Sequence, residues 1–472
     1  MIKVKNICCI GAGYVGGPTM AVIAKHCPNI QVNVVDINHE RIAQWNDKDL
    51  SNLPIFEPGL EYIIKECRGL NLHFSTDMEQ KIKNADLIFI SVNTPTKVKG
   101  VGAGQAIDLK YVEESSRQIS KFAKGFTIVV EKSTLPVKTA QTIKEILETS
   151  LKTKSLENEN NSFSVLSNPE FLAEGSAISD LENPDRILIG GEDKEAINAL
   201  IDIYLNWVDK AKVLTTDLWS SELSKLIANA FLAQRISSIN TISALCEATG
   251  AQIKDVSKAV GMDRRIGKYF LNSGPGFGGS CFKKDISNLV YICNYYNLFE
   301  VANYWQKVLD INIWQQKRFV KLIINKMFGT ISGKRIAILG FAFKADTNDT
   351  RESPAIYICK KLIEEGALLN IYDPKVSQTQ IAKDLTISEM DIDDPNEQKW
   401  LYSESVYDTV IDTDAAIFLT EWNEFENLNW EIISQSMRQP SWVFDTRSIV
   451  DIQKVKESGL NIWQVGYGYQ LN

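Results

Sequence analysis

KNICCIGAGYVG, residues Lys5–Gly16, and QVNVVD, residues Gln31–Asp36, decide the fold. Lys5–Ile10 is a short, mostly apolar run that reads as a buried strand. It breaks into Gly11-Ala-Gly13-Tyr14-Val15-Gly16, and a helical pattern follows. Gln31–Val35 is a second strand, closed by Asp36 20 residues after Gly16. Strand, Gly-x-Gly-x-x-Gly, helix, strand and acid in that order form a dinucleotide fingerprint. The glycines permit a tight turn and let the backbone approach a pyrophosphate at a helix N-terminus. Asp36 would accept hydrogen bonds from ribose hydroxyls and repel a 2′-phosphate, which favours NAD over NADP. Arg41 pulls the other way, because a nearby arginine can hold such a phosphate.

The alternation continues outward. Leu87–Val92, Thr127–Glu131, Phe163–Leu166 and Ile187–Ile189 read as strands, with helical patterns at Leu109–Phe122 and Val137–Glu148. Continuously apolar strands alternating with helices predict a parallel sheet covered on both faces. The middle of the chain reads as two long helices, Trp219–Thr249 and Phe299–Phe328, the first capped by Asp217, Ser220 or Ser221. Then KRIAILG…LLNIYD repeats the opening theme, with strands at Arg335–Leu339 and Leu368–Tyr372 and an acid at Asp373. Ala415–Leu419 and Trp442–Phe444 are further strands. The expected fold class is α/β: two doubly wound, Rossmann-like parallel-sheet domains joined by a central long-helix region. The boundaries fall at 1–213, 214–329 and 330–472. The second sheet lacks the glycine spacing, so it is expected to do a different job.

Composition excludes several functions. The chain has 472 residues, 44% apolar and 23% charged, with a formal charge of −8 and no long basic run, so nucleic acid is not an expected partner. Its three histidines, His26, His39 and His73, all lie near the start, so neither a histidine base nor a two-histidine metal site can come from the rest of the chain. No metal is expected. Eight cysteines without C-x-x-C spacing read as free thiols in a reducing compartment, here cytoplasmic. Ile7–Ala24 is uncharged but carries too many glycines for a signal or membrane helix, and no other run is long enough to span a bilayer. The sequons at Asn160 and Asn348 read as chance matches.

Five further stretches carry candidate chemistry. Ser91-Val92-Asn93-Thr94-Pro95-Thr96 and Glu131-Lys132-Ser133-Thr134-Leu135-Pro136 each follow a strand, where such sheets bind ligands, though both also suit ordinary turns. Asn168-Pro-Glu170-Phe171-Leu172-Ala173-Glu174 sets two acids four apart. On a helix they would share a face, as catalytic groups or as solvated acids favoured by the dipole. Lys225 and Asn229 are four apart on the first long helix, a reactive pair or a surface lysine bridged to Glu222. In Gly274-Pro-Gly276-Phe277-Gly278-Gly279-Ser280-Cys281-Phe-Lys283-Lys284-Asp285, the glycines allow backbone N–H groups to converge on an anion. Cys281 falls where a helix would begin, beside two lysines, a setting that activates a thiol; a buried structural cysteine is the alternative. Ser280-x-x-Lys283 also matches S-x-x-K, a serine acyl-hydrolase pattern, without its partner motifs.

An NAD site with a reactive thiol and no late histidine suggests an aldehyde attacked by thiolate, oxidised to a thioester and hydrolysed. The second α/β domain would hold a nucleotide handle, with Lys344, Arg351 and Arg447 as contacts.

The segments ICCIGAGYVGGPT, IFEPGL, FISVNTPTK, EKSTLPV, LSNPEFLAEG, NPDRILIGG, WSSELSKLIANAFLAQRISSIN, GFGGSCFKKD, ILGFAFKADTNDTRES and FDTR together resemble the UDP-glucose/GDP-mannose dehydrogenase family over nearly the whole chain. The resemblance implies two successive NAD-dependent oxidations at C6 of UDP-glucose, yielding UDP-glucuronate. It makes Cys281 the nucleophile, Lys225 and Asn229 the oxyanion stabilisers, and Asp285 and Thr134 the groups orienting water. Glu170 would assist thioester hydrolysis. The first base, Lys225 or an Asp285-bound water, stays open. The resemblance assigns the sugar nucleotide to Glu170–Glu174, Lys225, Asn229, Arg265, Lys344, Arg447 and the segment Phe270-Leu271-Asn272-Ser273-Gly274-Pro275-Gly276-Phe277-Gly278. Ser133, Thr134, Glu174 and Arg351 join the fingerprint, Arg41 and residues 92–96 around NAD. It also implies homodimers built on the central helices; assembly of dimers into a hexamer stays open. Asn272-Ser-Gly-Pro-Gly276 departs from the segment of animal members, which is richer in Lys, Ala and Val. A sister dehydrogenase acting on GDP-mannose or an N-acetylated UDP-sugar, and a non-catalytic nucleotide-sugar sensor, are the competing readings.

Overall fold

The computed structural model describes residues 2–153, 161–385 and 399–468; the sequon at Asn160 lies outside them. The chain forms two compact units, 1–228 and 229–472.

Among the described residues of the first unit, eight strands form one sheet: β1 (Asn6–Ile10), β2 (Gln31–Val35), β3 (Leu72–Ser75), β4 (Leu87–Ile90), β5 (Phe126–Glu131), β6 (Ser162–Ser167), β7 (Ile187–Gly190) and β8 (Val213–Thr216). Their order is β3-β2-β1-β4-β5-β6-β7-β8. The first six run parallel. The expected all-parallel sheet needs one correction, because β7 meets β6 antiparallel at Ser167 and Gly190, and β8 follows β7. The connection after β6 is irregular and holds a helix of only six residues, Ala177–Glu182, before β7 returns in the opposite direction.

The ICCI run explains its own composition. Ile7 and Cys9 point into the apolar layer that contains Met20, Ile23 and Trp45. Cys8 and Ile10 point into the opposite layer, with Val112, Ile119 and Ile143. Side chains alternate across a strand, so a strand covered on both faces must be apolar throughout.

In the second unit, the helices Ile253–Gly261, Phe282–Tyr295 and Phe299–Lys326 precede a second sheet. Its strands are β9 (Arg335–Leu339), β10 (Leu368–Tyr372), β11 (Trp400–Tyr402), β12 (Ala415–Phe418), β13 (Trp442–Asp445) and β14 (Asn461–Gln464), in the order β11-β10-β9-β12-β13-β14 and all parallel. Both sheets reverse strand order beside their first strand, the point where ligands bind in open α/β sheets. The helix Leu218–Thr249 runs through the unit boundary and is capped as expected, Asp217 Oδ1 accepting the Ser220 N–H at 2.9 Å. No helix among the described residues is long and apolar enough to cross a membrane. No cluster of three or more metal-ligating side chains occurs among them.

Candidate active site

The glycine loop of the first unit has the shape a dinucleotide requires. Gly11 has φ +110°, and a Cβ there would lie 2.1 Å from the Ser91 carbonyl oxygen. A Cβ on Gly13 would meet nothing within 4 Å, so the backbone is open to a ligand at that point. On Gly16 it would strike the Gly11 carbonyl oxygen at 2.1 Å, so the start of the helix Gly16–His26 packs directly against the turn. Tyr14 and Val15 between them are half-buried.

Asp36, at the end of β2, accepts the Ala12 N–H at 2.9 Å, the Asn38 N–H at 2.9 Å and Arg41 Nη1 at 3.3 Å. A carboxylate has about four acceptor positions, so one remains for a ribose hydroxyl. Arg41 is spent on Asp36 rather than free to seize a phosphate. These residues fit NAD. Asp373 in the second unit differs. Its carboxylate accepts the N–H groups of Phe341, Ala342, Lys375 and Val376 at 2.6–3.0 Å and the indole N–H of Trp422 at 3.2 Å. With five donors on it, Asp373 is a structural pin with no room for a ribose.

The loops after β4 and β5 are tied together, Ser133 Oγ donating to the Val92 carbonyl at 2.8 Å. Thr94 is buried, Asn93 exposed, and Val92, Pro95, Thr96 and Thr134 half-buried. The residues therefore serve as turn-formers and still stand at the ligand end of the sheet.

Glu170 and Glu174 do not share a helix face. Residues 168–173 are irregular and the next helix begins only at Ala177, so the four-residue spacing carries no meaning there. Glu170 instead folds onto its own loop. Its Oε1 accepts the Phe171 and Leu172 N–H groups at 2.9 and 3.2 Å, and its Oε2 meets Lys132 Nζ at 2.7 Å. Lys132 was not among the expected site residues. Ala173 N–H donates to Asp180, and Glu174 is half-buried.

Lys225 is 7% exposed, which removes the surface-pair reading. Its presumed partner Glu222 is occupied elsewhere, accepting the N–H groups of Lys138 and Ala140 at 2.7 Å each. Glu222 also hydrogen-bonds the buried carboxyl of Glu131. Burial, and then the charge of Glu222, push Glu131 well above the usual carboxylate range. Lys225 Nζ stands 5.3 Å from the Phe171 ring centre, and the Arg186 guanidinium lies 3.9 Å over the same ring.

In the second unit, Cys281 is the N-cap of the helix Phe282–Tyr295. Of the eight cysteines, all free, seven are buried and Cys281 alone is part-exposed. Burial pushes the Cys8 thiol up to about 12 and Cys27 up to about 11, so these are inert at neutral pH. Ser280 Oγ lies 3.4 Å from the Cys281 sulfur. Lys283 is exposed and paired with Glu352 at 2.8 Å, which weakens its expected pull on the thiol. Lys284 approaches the fully buried Asp285 at 3.9 Å. Asp285 Oδ2 accepts the Asn229 Nδ2–H at 2.6 Å.

Amides anchor the glycine-rich segment beside Cys281. Asn240 Oδ1 accepts the Gly274 N–H, Gln315 donates to the Gly274 carbonyl, and Asn312 grips both polar groups of Phe277, all at 2.8–3.1 Å. Gly276 has φ +124°, and a Cβ there would lie 2.5 Å from Asn312 Oδ1. Leu271, Ser273 and Gly278 are buried, whereas Phe270 and Asn272 are exposed. Arg447 is fixed by the Leu419 and Phe343 carbonyls and by Glu421 at 2.8–3.0 Å, and its guanidinium borders Gly274. Lys344 is half-buried. Arg265 and Arg351, expected at ligands, are forked onto their neighbours Asp263 and Asp349.

Comparison with known proteins identifies the family. Models of the UDP-glucose/GDP-mannose dehydrogenase family match the chain at residues 5–208 (NAD-binding domain), 219–314 (central domain) and 337–452 (UDP-binding domain). UDP-glucose 6-dehydrogenase 1 of Glycine max is 54% identical, covering 98% of this chain and 97% of that protein. UDP-glucose 6-dehydrogenase 2 of Arabidopsis thaliana is 52% identical with the same coverage. Among solved structures, a UDP-glucose dehydrogenase from Pyrobaculum islandicum superposes with a TM-score of 0.82 at 28% identity, covering 98% of both chains.

Proposed function

The chain belongs to the UDP-glucose/GDP-mannose dehydrogenase family, and on that premise we propose how its residues divide the work. It is an NAD-dependent oxidoreductase that converts UDP-glucose to UDP-glucuronate. The overall balance is UDP-glucose, two NAD⁺ and water to UDP-glucuronate, two NADH and three protons. NAD supplies the hydride acceptor for each of the two oxidations.

Cys281 forms the covalent intermediate. Its thiolate adds to the C6 aldehyde to give a thiohemiacetal. Oxidation of that carbon gives a thioester, and water then breaks the C–S bond and returns the thiol. The observation that supports this role is that Cys281 alone escapes burial, at a helix N-terminus whose first turn carries the buried Asp285. Asn229 and Lys225 stabilise the developing oxyanion. Asp285 and Thr134 orient water, and Glu170 assists hydrolysis. Lys225 or water held by Asp285 takes the first proton. Arg447, Lys344, Arg265 and segment 270–278 bind the UDP-sugar. Asp36, Arg41, residues 11–16 and 92–96, Ser133, Glu174 and Arg351 serve NAD.

The three-part organisation 1–213, 214–329 and 330–472 accommodates the three family models. A homodimer built on the helices Leu218–Thr249 and Phe299–Lys326 accounts for Phe231, Leu245, Phe299 and Tyr304, each more than half exposed. Eight free thiols suit the cytoplasm.

The deciding experiment mixes purified protein with UDP-glucose and excess NAD and counts NADH per sugar consumed. Two NADH supports the covalent route. One means the reaction stops at the aldehyde and the role given to Cys281 is wrong. None redirects the search to GDP-mannose and N-acetylated UDP-sugars.

A further inference from the structure

The first unit contains a buried lysine that the reaction scheme does not use. Lys132 follows β5 directly and is 2% exposed. Its ammonium has three N–H donors and three acceptors: Glu170 Oε2 at 2.7 Å, Asn168 Oδ1 at 3.1 Å and the Tyr204 hydroxyl at 3.2 Å. The acceptors are themselves fixed. Tyr204 donates to Asn168 Oδ1 at 2.6 Å, and Asn168 Nδ2 donates to the Leu188 carbonyl at 2.8 Å, which sets the amide orientation.

The partners of Glu170 are donors: two backbone N–H groups on Oε1 and the ammonium on Oε2. These donors fix the orientation of the carboxylate. Three of about four acceptor positions are filled, and the one left on Oε2 can take a water. Burial favours the neutral amine of Lys132. Glu170 and Tyr204 outweigh it and hold the ammonium above its ordinary range, so Lys132 is not itself a base.

We propose that Lys132 is a positioning residue that holds Glu170 aimed, leaving one lone pair free for the water that hydrolyses the Cys281 thioester. This rests on the hydrolytic role given to Glu170. The water gives a proton to that lone pair as its oxygen bonds to C6. The C–S bond then breaks and the thiolate leaves.

The test follows the acyl-enzyme in the full-length enzyme. Lys132→Met, Glu170→Gln and the double variant are mixed with UDP-glucose and NAD, acid-quenched and weighed intact for the thioester adduct, while NADH is followed over time. Lys132→Met is expected to form two NADH per site rapidly and then turn over at least ten-fold more slowly, with the adduct accumulated. Glu170→Gln should show the same burst, and the double variant should be no slower than Glu170→Gln. Normal hydrolysis in Lys132→Met overturns the proposal, as does a Lys132→Met penalty that persists in full on the Glu170→Gln background. If Glu170→Gln itself hydrolyses normally, the reading of Glu170 fails instead. Lys132→Arg decides the case if the methionine variant does not fold. It keeps the charge but not the three-point geometry, so hydrolysis should slow several-fold with the adduct accumulated, and wild-type hydrolysis overturns the proposal.

Discussion

Asn229 donates its Nδ2–H to Asp285 Oδ2 at 2.6 Å, and neither side chain is more than 4% exposed. The bond fixes the orientation of both side chains. Asp285→Asn keeps the shape but lets two amides meet, and it removes the acceptor for water. We expect kcat to fall on the order of 10²-fold or more, with the variant still folded by circular dichroism. A kcat within a factor of three of the wild type would show that this pair is only structural.

Lys225 offers a cleaner electrostatic test, because it is buried on the same long helix and Glu222 does not need it. Lys225→Ala should lower kcat by about 10²–10³ if the ammonium stabilises developing charge. Binding of UDP-glucose, measured by calorimetry, should weaken far less. Loss of affinity with kcat preserved would make Lys225 a substrate anchor instead.

Cys281→Ala should abolish UDP-glucuronate formation and leave NAD binding unchanged, since Gly11, Gly13, Gly16 and Asp36 belong to a separate unit. The same logic predicts selective labelling. At neutral pH, limiting iodoacetamide should modify Cys281 first, because the other seven thiols are buried. Peptide mapping that finds another cysteine alkylated first would contradict the assignment.

Asp36 and Arg41 form a balanced pair at 3.3 Å. Asp36→Ser removes the charge that repels a 2′-phosphate and frees the arginine to bind it. The ratio of kcat/KM for NADP to that for NAD should rise at least about ten-fold, the equivalent of roughly 1.4 kcal/mol. An unchanged ratio would mean that Arg41 does not reach the ribose.

The sequence pattern revealed the strands at the heart of each sheet and missed the margins. The pattern does not mark β3, β8, β11 or β14, and each is a sheet edge. A central strand buries both faces and reads as an unbroken apolar run. At three of these margins the pattern dissolves: β3 alternates buried with half-buried residues, and β8 and β11 bury almost nothing, whereas β14 buries three of its four residues and is the exception. The site divides in the same way. Cys281 and the fingerprint were legible because glycine spacing marks backbone that has to bend or stay open. Lys132 was hidden inside EKSTLPV, because its partners Asn168, Glu170 and Tyr204 are 36 to 72 positions away and follow no local period. Glu170 and Glu174 misled for the converse reason, since a helical spacing was read where the chain is irregular.

The buried carboxyls of Glu131 and Glu222 make a prediction about pH. Glu131 closes β5, and Glu222 accepts the N–H groups of Lys138 and Ala140 at the far end of the loop that carries Ser133 and Thr134. Burial raises both acids, and the charge of Glu222 raises Glu131 further. An unfolded glutamic acid titrates near about 4.3. Above that pH the native state therefore holds a proton that the unfolded chain has lost, and stability falls as pH rises toward the raised native value. This is the reverse of an ordinary salt-bridged carboxylate. Glu131→Gln removes the titrating group and can still donate to Glu222, so its stability should depend less on pH. Thermal melts between pH 5 and 8 should show wild-type Tm declining while the variant gains on it steadily, by a few degrees at the alkaline end. Parallel Tm curves for the two proteins would mean that the pair carries no extra proton in the folded state.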